Sequence, residues 1–398
     1  MTASRKKHYD VCVITTIHPD FDKRVYRQVC ALADAGLDLC VVAPWDFSKR
    51  RRFDYDFVQL DYPKSRMHRF LHNIKIYRSA SRVDASVYIF HDSDFLPLAT
   101  FLKRFTSRPV VYDAHENMPE NILYGKEWIP AVLRRPLSAA YRRFENHTVS
   151  RLGTTIVAVD HLKRRFSALG ADAVLVRNFS RARRPADFSN ERAVLYTGSV
   201  MRAYGSDILL EISREMVRRD LNAPLRIVDR FMGDEKYRDW FLAEMKNGCD
   251  NIELIPSVSA DGIGKVLSLG CIGLCTGIDI PIHALALPTK IFEYYEFGLV
   301  VISIDVEGTR IATEDGRLGV LVPQDDHVAW VDAIERLLTD REYHDRFKNA
   351  ALVAAQTQFS WELEAERMVE YVQDLAGKSH VAMDASRSRQ RAEASEST

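Results

Sequence analysis

Two residues three apart, Lys290 and Glu293, stand out for their chemistry. They lie in Pro288-Thr289-Lys290-Ile291-Phe292-Glu293-Tyr294, which continues to Gly298 and the apolar run 299–304. Pro288 suits a helix start, where a missing N–H costs no intrahelical bond. Gly298 suits the stop, because glycine accepts a left-handed conformation. Between them Lys290 and Glu293 share one helix face. At the mouth of a strand–helix unit, the ammonium would neutralise a diphosphate and the carboxylate would accept from ribose hydroxyls, as a nucleotide sugar requires. The spacing fits a weak surface ion pair equally well. Two histidines, His91 and His115, follow the apolar runs 86–90 and 109–112. They mark carboxyl ends of strands, where parallel sheets bind ligands; a loop histidine bonded to a backbone carbonyl would look the same. Asp92-Ser93-Asp94 spells an Asp-x-Asp that can chelate a divalent ion from alternate residues of an extended segment. Matches this short arise by chance, and the expectation is that no metal is held.

The elements that must position these groups alternate strand and helix. Residues 9–16 read as a buried strand. Val25, Val29, Leu32 and Ala33 repeat at helical spacing up to Gly36, and 37–43 is the next strand. Further strands are predicted over 155–159, 173–176, 193–198, 225–229, 252–255, 271–275 and 319–323. The pattern is α/β with two doubly wound domains, and 398 residues exceed one usual core. We place an N-terminal Rossmann-like domain at 1–180, a second at 191–360, a closing helix at 361–377 and a disordered tail at 379–398, rich in Ser, Arg, Ala and Glu. An arginine-rich linker, 180–190, separates the domains. No Gly-x-Gly-x-x-Gly occurs, so a dinucleotide fingerprint is absent. The loop from Gly198 to Gly205 feeds a helix N-terminus, a ready anion site.

Charge is zero overall but uneven. Residues 1–185 hold 32 Lys and Arg against 19 Asp and Glu, a surplus of +13. The N-terminal half is therefore expected to meet something anionic. Arg134, Arg135, Arg142 and Arg143 interleave with Leu133, Leu137 and Phe144, as on a helix lying on an anionic membrane surface, or on a solvated face. Pro136 is expected to start or kink that helix. Lys49 to Arg52 add a basic loop. The six cysteines show neither C-x-x-C nor zinc spacing and read as thiols of a reducing cytosol. The first ten residues are polar with no apolar signal region, and the apolar stretch 266–287 is broken by glycines, Asp279, Pro281 and His283, so no membrane span is expected.

Pro-x-Lys-x-Phe-Glu-Tyr, closed by Gly298 and a strand, resembles the signature of retaining glycosyltransferases of family 4, in its Pro-x-Lys branch. Asp22-Lys23-Arg24-Val25, Ile89-Phe90-His91-Asp92, Asp113-Ala114-His115-Glu116 and Gly319 to Pro323 resemble further stretches of that family, so the resemblance spans about residues 8–375. It implies the GT-B fold: two Rossmann-like domains facing across a cleft, the first for the acceptor, the second for the nucleotide sugar, with the last helix crossing back to brace the first. It implies that Glu293 binds the donor ribose, Lys290 the diphosphate, and that His91 or His115 lines the sugar side, with Gly198 in the donor loop. It implies no covalent nucleophile, no metal and no cofactor. The chain departs from the pattern at Leu285, where many members have a second Glu, and at Ser199 and Tyr204, where they have Arg and Lys. Arg202 is inferred to supply the lost cation. The expected activity is transfer of a hexose-type sugar from a nucleotide-sugar donor to a glycan or lipid-linked acceptor in cell-surface polysaccharide synthesis. The expected place is the cytoplasm, at the inner face of the membrane, with no nucleic-acid partner. Two other readings stay open: a non-catalytic GT-B partner protein, and a sugar-nucleotide enzyme such as a 2-epimerase.

Overall fold

Among the described residues all the strand pairings run parallel, and the central strands are apolar and buried over most of their length while the edge strand Asp56–Gln59 is exposed. The computed structural model describes residues 7–19, 22–45, 55–63, 65–126, 128–180, 191–232, 235–258, 262–280 and 285–396. The basic loop 49–52 lies outside them, as does almost all of the linker 180–190. The chain divides into two compact units: Met1–Asn178 with Glu364–Thr398, and Phe179–Leu363.

In the first unit the strands are β1 His8–Ile14, β2 Leu39–Ala43, β3 Asp56–Gln59, β4 Asp84–Phe90, β5 Val110–Ala114, β6 Thr154–Val157 and β7 Asp172–Leu175. They form one sheet in the order β3-β2-β1-β4-β5-β6-β7. Every residue of β2 and β5 is buried, as expected of a sheet covered on both faces by crossover helices. Strand order reverses between β1 and β4, and the crevice at such a switch point is where doubly wound sheets bind ligands. The helix Lys23–Asp34 crosses from β1 to β2. Its Asp22 cap accepts from the N–H groups of Arg24 at 2.9 Å and Val25 at 3.1 Å, and Val25, Val29 and Leu32 are fully buried. The chain returns to this unit at its end. Arg367 donates to the Leu175 carbonyl, Tyr371 Oη donates to the Asp172 carbonyl at 2.9 Å, and Glu364 accepts from the Arg177 N–H at 2.8 Å.

In the second unit β8 Val194–Tyr196, β9 Leu225–Asp229, β10 Ile252–Pro256, β11 Ile272–Cys275, β12 Val300–Ile304 and β13 Gly319–Val322 form a sheet ordered β10-β9-β8-β11-β12-β13, with its switch point between β8 and β11. The two units thus repeat one topology.

Of the two roles expected for Pro136, starting or kinking its helix, the first is excluded: the helix runs Ala131–Leu152 with the proline inside. At the sixth position its missing N–H orphans only the carbonyl of Val132, which is 82 % exposed and open to water. The closing helix extends over Trp361–Glu396, beyond residue 379, where composition pointed to disorder; Ala, Arg, Glu and Gln of that stretch are strong helix formers. Pro288 stands at the start of its helix, as the cap of Thr289–Glu296. All six cysteines are free thiols. No helix among the described residues is long and apolar enough to cross a membrane.

Candidate functional site

In the first unit the loops after β1, β4 and β5 converge on a buried carboxylate. Asp113, fully buried on β5, takes Arg24 Nε at 3.0 Å and Nη2 at 2.6 Å, a bidentate pair, and Gln28 Nε2 at 2.9 Å. Arg24 Nη1 donates to the Val176 carbonyl at 3.0 Å. His91 Nδ1 lies 2.8 Å from Asp113 Oδ2. Burial alone would raise the Asp113 pKa, but Arg24 and the His91 bond hold it well below the carboxylate range. An anion at this place fixes a proton on His91 Nδ1, so in the neutral ring Nε2 offers a lone pair. That Nε2 is buried and unpartnered.

Around it lie His18, Asp92, Asp94 and His115. His18 sits between two carboxylates, Nδ1 3.1 Å from Asp22 and Nε2 3.5 Å from Asp92. Burial opposes its charge, yet the Asp22 bond and the fields of Asp92 and Asp113 raise its pKa above the ordinary value. Asp92 accepts from Thr15 Oγ1 at 2.9 Å and the Thr16 N–H at 2.5 Å; burial pushes its carboxyl up, only partly offset by His18 and Thr16. Asp94 accepts from Thr16 Oγ1 at 2.8 Å and from Arg69 Nε at 3.1 Å. The two carboxylates of Asp-x-Asp thus share Thr16 and are otherwise spent on Thr15 and Arg69 respectively. His115 Nδ1 is 3.2 Å from the Asp113 carbonyl oxygen, and its ring centroid is 5.1 Å from that of His18. These groups border a cavity of about 570 Å³, which His18, His91, Asp92, Asp94 and His115 all line.

Donor atoms of His91, Asp113 and His115 lie within 4.8 Å of one another, a spacing that a metal ion could bridge. The donor set does not suit one, because both Asp113 oxygens are already committed to Arg24, Gln28 and His91. A cation would have to displace a buried guanidinium.

Burial pushes the His115 pKa down to about 4; Asp113 works the other way, and Arg24, His18 and His91 add to the shift. The folded value lies below the unfolded one, so the unfolded chain binds more protons between them. Stability from this group is full above about pH 6.5 and falls by up to about 3 kcal/mol as the pH drops toward 4. His115→Gln should therefore shrink the loss of melting temperature between pH 7 and pH 4.5. Equal losses in both proteins would show that His115 is not held neutral.

In the second unit, the helix Thr289–Glu296 follows β11, and its buried residues explain its position. Tyr294 Oη accepts from the Thr197 N–H at 3.1 Å and donates to the Leu274 carbonyl at 3.2 Å, which ties the helix to the ends of β8 and β11. Gly273 lets this happen: a Cβ there would lie 2.5 Å from the Tyr294 ring. Phe292 and Tyr295 pack with Phe359, and Tyr295 Oη donates to the Ala312 carbonyl at 3.1 Å. With the aromatics turned inward, Lys290 and Glu293 are left partly exposed. Lys290 Nζ lies 4.6 Å from the centroid of the Tyr196 ring and against Gly198, where a Cβ would come within 2.5 Å of both Nζ and Tyr196 Oη. Burial would lower the Lys290 pKa, but Tyr196, Cys275 and Tyr294 around it raise it above the ordinary lysine value, so it is a cation at neutral pH.

The structure therefore brings Lys290 and Gly198 together, places Glu293 on the same helix, and sets His91 and His115 in one cavity of the first unit. It does not bring Arg202 to Lys290. Arg202 is 71 % exposed, 3.5 Å from Asp207, and stacks over Trp240 and Tyr237. It lines a different cavity of about 510 Å³, whose wall includes neither Lys290 nor Glu293. The proximity of Asp207, the residue that caps the helix Ile208–Arg218, and of two aromatic rings accounts for its direction. Arg24, Gln28, Asp113 and His18 escaped the choice of site residues. Arg24 and Asp113 were legible as parts of Asp-x-Arg-Val and Asp-x-His-Glu; for Gln28 no local signal existed.

Residues 191–340 match the family model described as glycosyl transferases group 1. A D-inositol 3-phosphate glycosyltransferase of Nocardia farcinica is 27 % identical over 211 residues, 50 % of this chain and 45 % of the relative. An alpha-D-kanosaminyltransferase of Streptomyces kanamyceticus is 27 % identical over 175 residues, 41 % of this chain and 40 % of the relative. The chain thus spans less than half the length of these curated relatives. Among solved structures, Anabaena HepE in complex with UDP-glucose superposes with a TM-score of 0.69 at 14 % identity, covering 92 % of this chain and 100 % of HepE. A sucrose-phosphate synthase from Thermosynechococcus elongatus does so with a TM-score of 0.72 at 16 % identity, covering 93 % and 100 %. Residues 191–340 thus resemble a group 1 glycosyl transferase domain, within a chain whose two parallel-sheet, Rossmann-like units have the GT-B fold.

Proposed function

We propose that this chain is a retaining glycosyltransferase that moves a hexose-type sugar from a nucleotide-sugar donor to a glycan or lipid-linked acceptor of cell-surface polysaccharide synthesis. The observation that carries the reading is Lys290, a cation held over Tyr196 and against Gly198 within the segment that matches the group 1 domain. A fixed positive charge at that place serves a departing diphosphate. The relatives are glycosyltransferases by name, and HepE holds UDP-glucose, which supports a nucleotide-sugar donor on the second unit. Glu293 holds the donor ribose; His91 and His115 line the sugar on the first unit. No resident metal or cofactor takes part. The departing diphosphate assists removal of the acceptor proton on the face of attack, and the protein contributes positioning and charge stabilisation.

Thermal stabilisation of the purified chain by a panel of nucleotide sugars, followed by assay of transfer, tests the reading. A panel in which no donor stabilises the protein would overturn it, and conversion of the donor alone to its epimer would replace it with the 2-epimerase reading. Glu293→Gln should weaken donor binding by about 1.5–3 kcal/mol, the range for a hydrogen bond to a charged group. Unchanged affinity in a folded variant would remove Glu293 from the donor site.

The helix Ala131–Leu152 supports an acceptor at a membrane surface. Val132, Leu133, Leu137 and Phe144 are exposed on it beside Arg135, Arg142 and Arg143. Arg134 donates to the Ile129 carbonyl at 2.8 Å, and Arg142 pairs with Glu120 at 3.1 Å. This face would dock on the anionic inner leaflet, each arginine contributing about 1 kcal/mol. Replacing Arg134, Arg135, Arg142 and Arg143 by Gln should release the protein from anionic vesicles at low salt while donor binding persists. A wild-type protein indifferent to such vesicles would favour a soluble acceptor.

A further inference from the structure

The helix Thr289–Glu296, which carries Lys290 and Glu293, is eight residues long. Two turns do not hold themselves in water, so its place is set by what its inward face meets. Tyr294 meets the ends of β8 and β11. Phe292, the residue before Glu293, meets something else. Its ring centroid is 4.6 Å from that of Phe179, edge-on, and 5.1 Å from that of Phe359. Phe179 and Phe359 lie edge-on to each other at 5.3 Å, and Tyr295 stacks on Phe359 at 6.3 Å. Aromatic pairs prefer particular tilts and distances, so three rings in mutual contact constrain one another.

Phe179 and Phe359 are far apart in sequence, yet each stands close to a point where the chain passes between the units. The chain leaves the first unit between Asn178 and Phe179 and returns to it between Leu363 and Glu364. The residues that follow the two rings are joined. The backbones of Ser180 and Ser360 pair in parallel, and the Trp361 N–H donates to the Ser180 carbonyl at 2.7 Å. Phe179, Ser360 and Trp361 are all buried. The helix is therefore backed by two chain crossings that are fastened to each other, and not by its own sheet alone.

We infer that Phe179 and Phe359 are positioning residues for Lys290 and Glu293. Their rings set where Phe292 stands, and the bond from Trp361 to Ser180 holds the two rings together. The inference rests on the reading that Lys290 and Glu293 hold a nucleotide-sugar donor. A group misplaced by about 1 Å can lose about a hundredfold in rate, so a small loosening at this place has a measurable effect.

Phe179→Leu and Phe359→Leu keep an apolar side chain and delete the ring; Phe359→Tyr keeps the ring at a partly buried position. Hydrogen exchange on the free, folded full chain is the first readout. The amides of residues 292–297 should exchange about tenfold faster in both Leu variants, while those of β8 and β12 stay as in the wild type and Phe359→Tyr restores protection. UDP, GDP, ADP and dTDP are the second set of probes. The nucleotide that binds the wild type best should bind both Leu variants about tenfold more weakly. Coupling is reciprocal, so the same nucleotide should slow exchange of the Trp361 N–H in the wild type, an effect that packing support alone does not produce. Protection lost equally across the second unit, helix amides unmoved by either Leu variant, unchanged nucleotide affinity, or a Trp361 N–H indifferent to nucleotide would overturn the inference. The outcomes stay separable from the donor reading. If a nucleotide binds wild type and Leu variants alike, the positioning role is wrong while the donor reading stands. If the helix amides loosen and no nucleotide binds the wild type, the rings do position the helix and the donor reading fails.

Discussion

Arg24→Met is expected to destabilise the first unit by about 3–5 kcal/mol, the cost of stranding one partner of a buried ion pair. The side chains of Arg24 and Asp113 are 5 % and 0 % exposed, so water cannot replace the guanidinium. Methionine keeps much of the length of the arginine stem, which separates loss of charge from loss of packing. Without the guanidinium, burial drives Asp113 toward its protonated form, and that form no longer fixes the proton on His91 Nδ1. Hydrogen exchange of the β1 and β5 amides in urea reads the effect on the first unit directly. A loss below about 1 kcal/mol would show that the cluster is more hydrated than its burial indicates. The double substitution Arg24→Met with Asp113→Leu should regain part of the stability, because replacing both ions removes the desolvation cost along with the attraction. The wild-type pair also sets an acid limit. Asp113 has a folded pKa below its unfolded value, so its contribution is complete above the unfolded value near 3.9 and disappears only as the pH falls below it.

Lys290→Met should lower kcat/KM for transfer by about 10²–10³, as removal of one preorganised group from a developing anion does. The substitution keeps the stem beside Tyr196 and deletes the charge. Gly198→Ala approaches the same contact from the other side. Its methyl group would lie 2.5 Å from the Lys290 nitrogen and from Tyr196 Oη, a distance that forces the ammonium out of its cradle. Both variants should fold, since Lys290 and Gly198 stand at the edge of a core secured by Tyr294 and Phe292, and both should lose donor affinity together with rate. If Gly198→Ala binds and transfers like the wild type, the ammonium does not depend on this cradle, and Lys290 acts from another position or not at all.

These two predictions concern different kinds of knowledge. Lys290 was readable because a helix places residues three apart on one face by local geometry alone, and because Pro288 and Gly298 bracket that helix in sequence. The aromatics between them, Phe292, Tyr294 and Tyr295, were equally local in spacing, yet nothing in their order told that Tyr294 would reach Thr197, 97 residues away, and fix the helix on β8. Arg24 lay in a recognised stretch without a role. Its partner Asp113 is 89 residues further on, and Val176 is 152 residues away. Arg202 shows the opposite failure. Sequence position suggested a phosphate ligand, while packing turned it to Asp207, Tyr237 and Trp240.

By itself the sequence determined the alternation of strand and helix, the two-unit layout and the segment that holds Lys290 and Glu293, because each depends on periodicity, turn residues or spacing within about a dozen positions. Only the tertiary structure decided which loops meet. A parallel sheet joins strands through crossovers, so the ends of β1, β4 and β5 become neighbours although His18, His91 and Asp113 are far apart along the chain. The strand order that reverses between β1 and β4 places His18 beside Asp92 and leaves Asn73 and His91 lining one cavity. Burial then selects their protonation: it makes His115 neutral and leaves Asp113 an anion under Arg24. Burial and charge pairing at that depth belong to the packed molecule, and no window of the sequence contains them.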